Sequence, residues 1–119
     1  FMLQANFENK ISIHGTGAQT RAFIHIENAA ESLSKLVDAE IPSGTFNLVT
    51  KNLAVNDIAE AVLELYPSCE RIFVNQHLSL GSIKVSVKST LWDHISIHEN
   101  SLLEELLAFK EKFAFARNN

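Results

Sequence analysis

The chain has 119 residues, 46% of them hydrophobic and 20% charged. That balance belongs to one folded domain and excludes a disordered tail or a fibrous repeat. Fourteen acidic side chains outnumber ten basic ones, for a net charge of −4; the basic residues are scattered singly, so a nucleic-acid face and an electrostatic membrane contact are disfavoured.

Met2, Leu3 and Phe7 share one face of a short helix predicted over residues 2–8. Lys10-Ile11-Ser12-Ile13-His14 alternates with the period of a strand, and Gly15-Thr16-Gly17 turns the chain. Ala22 to Ile26 reads as a second strand, with His25 inside it. Asn28 and Glu31 have capping-box spacing, which predicts a helix from there to Asp38 with Ala29, Leu33, Leu36 and Val37 on its buried side. Ile41-Pro42-Ser43-Gly44 is a turn, and Phe46 to Val49 a third strand. Val55 to Tyr66 has the clearest helical period, stopped by Pro67. Ala54 gives that helix no side-chain cap, a loss of about 1 kcal/mol. Arg71 to Val74 reads as a fourth strand, and Ile83 to Val87 as a short fifth strand or an extended loop. Ser101 and Glu104 form a second capping box, opening a helix through Phe113, and the tail Arg117-Asn118-Asn119 is expected to fray. Strands and helices interleave without repeat or linker, so the expected architecture is one small mixed α/β domain over residues 1–119.

Cys69 is the only cysteine, which allows no intrachain disulfide and suits a cytoplasmic location. No run of about 18 apolar residues is present, so no membrane span is expected. The glycine turn lacks the third glycine of a dinucleotide cradle: Thr20 stands there, and a strand rather than a helix follows. His94 and His98 have ligand spacing for a helix, but the residues around them have no helical pattern, so no metal site is expected. No Gly-x-Ser-x-Gly elbow occurs, and Cys69 has no activating context, so no catalytic residue is assigned. Arg21 is the most informative residue. A turn that delivers an arginine to the start of a strand can set a guanidinium at a pocket edge, where it grips phosphate bidentately. The alternative is a surface arginine on a hairpin.

The string Gly15-Thr16-Gly17-Ala18-Gln19-Thr20-Arg21-Ala22-Phe23-Ile24-His25-Ile26-Glu27-Asn28-Ala29-Ala30 resembles a segment of the extended short-chain dehydrogenase/reductase family, the NAD-dependent nucleotide-sugar epimerases and dehydratases. Gly44-Thr45-Phe46-Asn47-Leu48 is similar to that family's Gly-x-Tyr/Phe-Asn-Val strand, and Ala54-Val55-Asn56-Asp57-Ile58-Ala59 to its Ser-Val-x-Glu-Leu-Ala helix start. Trp92 and Ser101-Leu102-Leu103-Glu104-Glu105 resemble its last Gly-Trp and helix. The resemblance covers almost the whole chain, but only the C-terminal, substrate-binding part of such enzymes.

The resemblance implies a domain that closes over a UDP- or dTDP-sugar. Arg21 would contact its phosphates, with Asn47 beside the diphosphate. Backbone groups of Ser12 and Ile13 would meet the base, and His14 would stack on it. Lys84 stands as a point charge where the family has a second arginine. Ala22 and Asn28 replace two family aspartates, and Val49 a glycine. The family's Tyr-x-x-x-Lys pair is absent, since the only tyrosine is Tyr66 and Glu70 follows it by four. The NAD(P) site and the chemistry, isomerase or oxidoreductase, therefore belong to a Rossmann half, and this chain is expected to bind no cofactor and to be inactive alone. The alternative is a stand-alone binding or interaction module that keeps the fold. Where that half would pack, on the helix of residues 28–38, an uncovered surface and self-association are expected.

Overall fold

A computed structural model describes residues 1–113. In chain order its elements are α1 (Met2–Glu8), β1 (Lys10–His14), β2 (Thr20–Phe23), α2 (Ile26–Asp38), β3 (Lys51–Ala54), α3 (Val55–Leu65), β4 (Glu70–Val74), a single-turn 3-10 helix (Thr90–Asp93) and α4 (Leu102–Phe113). Parallel and antiparallel strand pairs alternate with helices, a small mixed α/β fold. Packing divides the chain into two units: residues 1–19, 54–82 and 100 onward, and residues 20–53 and 83–99. The tail Arg117–Asn119 lies outside the described residues.

In the first unit β1 and β4 pair in parallel, with register from Lys10↔Glu70 to His14↔Val74. Alternation along β1 turns Ile11 and Ile13 into a core shared with Met2 and Ala5 of α1, Ala59 and Val62 of α3, Tyr66 and Cys69. Asn9, in the left-handed region at φ 53, ends α1. It pins that junction to the loop before β4: its Nδ2 donates to Ser68 O at 3.0 Å, and its carbonyl accepts from Glu70 N at 3.0 Å. The face of α1 differs from the expected one. Met2, Ala5 and Asn6 are buried, while Leu3 and Phe7 are 54% and 58% exposed. In so short a helix two faces compete, and Gln4 decides: its Oε1 accepts from Ser12 N at 3.3 Å, which orients the helix along β1.

Tyr66 N donates to Val62 O at 3.0 Å as α3 ends before Pro67. Lys110 of α4 reaches the same place. Its Nζ donates to Leu65 O at 2.7 Å and lies 4.3 Å from the centroid of the Tyr66 ring. One cation thus meets the negative end of α3 and an aromatic face. The predicted cap of α4 forms reciprocally: Ser101 N donates to Glu104 Oε2 at 2.7 Å, and Glu104 N to Ser101 Oγ at 3.3 Å.

In the second unit β2 pairs antiparallel with β3. The pair sits earlier and later than expected, at Thr20–Phe23 rather than residues 22–26, and at Lys51–Ala54 rather than residues 46–49. Thr50 fixes it, donating to Phe23 O from its N at 3.0 Å. The stretch of residues 83–87 is an extended loop held to both strands. Ile83 N donates to Thr20 O at 2.9 Å, and the Asn52 carboxamide clasps Val85 by giving to its O at 2.8 Å and taking from its N at 3.0 Å. Helix α2 begins at Ile26, with His25 as N-cap, so Asn28 caps nothing. Its buried side chain donates instead to His98 O at 3.2 Å, and Ser32 Oγ donates to Asn28 O at 2.7 Å. The fully buried residues of α2 are thus polar, with Ala29 and Leu36 half-buried. A second apolar set faces outward: Ile26 is 70%, Leu33 59% and Val37 82% exposed, with Ala30 exposed between them. The expected burial of Leu33 and Val37 is corrected. Among the described residues no helix is long and apolar enough to cross a membrane.

Candidate functional site

The turn after β1 is built on two glycines, Gly15 at φ 71 and Gly17 at φ 75, in a region that side chains rarely adopt. A Cβ on Gly17 would lie 2.0 Å from Asn56 Oδ1, so any other residue must displace that carboxamide. Gly15 N donates to Val74 O at 2.9 Å, which continues the β1–β4 ladder by one step. The turn then docks on the start of α3. Val55 N donates to Gln19 O at 3.0 Å, Asn56 N to Gly17 O at 2.9 Å, and Asn56 Nδ2 to Thr16 O at 3.1 Å. Ala54 N gives to Asp57 Oδ2 at 2.8 Å. The weak cap expected at Ala54 is thus made good by Asp57 and by carbonyls of the turn. The turn presents carbonyls, not amides, to a helix start, the reverse of a phosphate cradle.

Gln19 completes the turn. It is 8% exposed, and its Nε2 donates to His14 O at 3.1 Å. Together with Thr16 it forms one wall of a cleft of about 290 Å³. The opposite wall is the loop after β4, where Asn75 at φ 54 and a bond from Leu78 N to Asn75 O at 2.9 Å reverse the chain. The walls close at Gly15, whose Cβ would come within 3.2 Å of Leu78 O and of the Leu80 side chain.

The site residues expected from sequence fall into both units. In the first, Ser12, Ile13 and His14 lie on β1. Ile13 is fully buried and Ser12 half-buried, and His14 is exposed at the strand end beside the turn. The N–H of Ser12 is taken by Gln4. In the second unit Arg21 lies on β2, half-buried, with Nη1 donating to Thr20 O at 2.9 Å. Lys84 follows Ile83, whose N–H joins the same carbonyl, so the two cationic residues come from adjacent backbone runs. Asn47 is exposed in the irregular segment before β3. Asn56, Gln19 and the cleft residues after β4 were not singled out from sequence. Asn56 carries no local signal, because the turn it anchors through Thr16 lies 40 residues away in sequence.

Two other chemistries find no support in the geometry. Tyr66 is buried, with its hydroxyl 3.4 Å from Asn6 Oδ1 and Lys110 over its ring face, an arrangement that joins α3 to α4. The Cys69 thiol is pushed up from its ordinary pKa by burial and, secondly, by Glu70, which keeps it protonated and unreactive. Among the described residues no three His, Cys, Asp or Glu side chains gather as a metal site.

No family model matches the sequence, and a search of curated proteins finds no match. Solved structures do match in fold. The chain superposes over 99% of its length, with TM-score 0.75 and 17% identity, on TunA, an NAD-dependent NDP-hexosamine 5,6-dehydratase involved in tunicamycin biosynthesis. It superposes over 97% of its length, with TM-score 0.77 and 12% identity, on L-threonine dehydrogenase from Phytophthora infestans. It spans only 38% and 40% of those chains. The fold is therefore one found as a part of a larger NAD-dependent dehydratase and as a part of a larger dehydrogenase. Those two neighbours act on dissimilar substrates, so the fold does not choose between them.

Proposed function

We propose that this chain is the C-terminal, substrate-binding domain of an NAD(P)-dependent nucleotide-sugar epimerase or dehydratase of the extended short-chain dehydrogenase/reductase type, inactive by itself. The observation that carries the reading is the asymmetry of the structural match: nearly all of this chain overlays about two-fifths of an NDP-hexosamine dehydratase. The motif order found in the sequence supports the same assignment. The ligand is a UDP- or dTDP-sugar; the resemblance assigns Arg21, Asn47 and Lys84 to its phosphates and Ser12, Ile13 and His14 to its base. NAD(P) and the catalytic pair belong to a Rossmann domain, and a cytoplasmic location fits the protonated, unpaired Cys69.

The outward face of α2 supports a covering domain. Ile26, Ala30, Leu33 and Val37 recur at alternating spacings of four and three, which is one continuous stripe on a helix. Such a stripe is too small to hold a free partner tightly, but it suffices for a domain tethered in the same chain, where effective concentrations are about millimolar. A second reading, a stand-alone binding or interaction module without enzymatic activity, is favoured by the departures at Ala22 and Val49 and by the missing second arginine. The test is incubation of the chain with NAD and UDP- or dTDP-sugars. Binding without turnover is expected, and robust turnover overturns the assignment.

A further inference from the structure

We propose that the second unit binds a small alkylammonium ligand in the cavity between the C-terminal turn of α2 and residues 94–96. None of the residues assigned to the nucleotide sugar takes part. The cavity is about 390 Å³, within the range of about 300 to 1,000 Å³ that ligand pockets span. Lys35, Asp38 and Ala39 line one wall, and His94, Ile95 and Ser96 the other.

Asp38 is the residue that calls for a cation. It is the last residue of α2, and it is exposed. A helix C-terminus carries about half a negative charge, so a carboxylate there is held against the dipole. Ala39 beyond it is extended, at φ −83 and ψ 137, which leaves the carbonyls of the last turn open. Lys35, three residues earlier, is the helical neighbour that could neutralise Asp38. It is turned away, with Nζ donating to Glu31 Oε1 at 2.6 Å and to Ser96 O. Among the described residues Asp38 makes no ion pair. Glu31 thus balances Lys35, and the cavity keeps one uncompensated carboxylate beside the negative end of a helix.

Among the described residues no three His, Cys, Asp or Glu side chains gather, so a metal ion lacks its ligand set. An ammonium needs only acceptors for its three N–H groups, and Asp38, the open carbonyls and the Ser96 hydroxyl supply them. Ile95, 7% exposed, and Ala39 offer apolar surface to the alkyl chain. Both walls are held in place. Asn28 and Lys35, two turns apart on α2, bind His98 O and Ser96 O. His94 N and Ile95 N both donate to Leu91 O, at 3.0 and 3.1 Å. Acceptors fixed in this way bind without an ordering cost.

The test is a nuclear magnetic resonance titration of the full chain, labelled with nitrogen-15, with n-butylammonium chloride at neutral pH and with butanol as the uncharged control. Saturable shifts are expected at the Ala39, Ile95 and Ser96 amides with the ammonium and not with butanol. Asp38→Asn should weaken binding about threefold to fivefold, the range of an exposed ion pair. Glu40→Gln, an acid two residues on that does not line the cavity, should leave the affinity unchanged. The unfolding midpoint of Asp38→Asn should equal or exceed that of the parent chain, since a charge leaves the negative end of a helix. No saturable shift at those amides, the same shifts with butanol, equal weakening by Glu40→Gln, or a lower midpoint for Asp38→Asn overturns the proposal.

Discussion

Gly17→Ala is the sharpest perturbation of the turn on which the site is built. Alanine at φ 75 costs about 1–2 kcal/mol, because its Cβ crowds the backbone in the left-handed region. The new Cβ would also fall 2.0 Å from Asn56 Oδ1, so the carboxamide must swing away and give up its 3.1 Å bond to Thr16 O. That hydrogen bond contributes about 1 kcal/mol net. The sum is about 2–3 kcal/mol, or roughly 8–12 °C in Tm for a domain of this size. Asn56 Oδ1 is buried without a partner, so Asn56→Ala removes a bond and an unsatisfied acceptor together, and its own cost is expected to be below about 1 kcal/mol. In the double variant the clash disappears and only the φ cost remains. Urea unfolding of the two single variants and the double variant should therefore show non-additivity of about 1 kcal/mol in the stabilising direction. Simple additivity, or a loss below about 0.5 kcal/mol for Gly17→Ala, would refute the tight docking of this turn on α3.

Lys110→Met should destabilise the chain by about 1–2 kcal/mol in urea unfolding, since it removes both the Leu65 carbonyl bond and the cation over Tyr66; an unchanged midpoint would show that α4 is not pinned there. Leu33→Glu should convert a self-associating isolated chain into a monomer by sedimentation at high concentration, because it charges the centre of the exposed α2 stripe. Identical behaviour of both proteins would contradict a role for that stripe. Cys69 should react with a disulfide reagent far more slowly in the folded chain than in urea near neutral pH. Burial raises its pKa and so lowers the thiolate fraction, and the gap should narrow as the pH rises. Equal rates would mean that the thiol is not shielded.

Local pattern carried those elements whose hydrogen bonds are local. The alternation of Lys10–His14, the period of α3 with Pro67 after it, and the Ser101/Glu104 box all translate directly into structure. The misread elements depend on distant partners. Asn28 and Glu31 have capping-box spacing, yet Asn28 is drawn inward by His98 O, 70 residues away. Strand β3 lies at Lys51–Ala54 because Thr50 meets Phe23, and nothing in the composition of residues 51–54 announces a strand. On α2 the apolar stripe was legible but its direction was not, since a hydrophobic period does not say which side a neighbour covers. In the site, the glycine turn was plain from its spacing. Its anchoring by Asn56 and Gln19 was hidden, because it is made of backbone carbonyls and two amides from separate segments.

The most direct measurement of the central claim is the affinity of the chain for UDP- and dTDP-sugars by calorimetry, with and without Arg21→Ala. An arginine on a diphosphate contributes charge-assisted hydrogen bonds of about 1.5–3 kcal/mol, so the variant should bind at least about tenfold more weakly. Saturable binding that weakens by that factor is the predicted result. No binding of either sugar nucleotide, or equal binding by the variant, would contradict it.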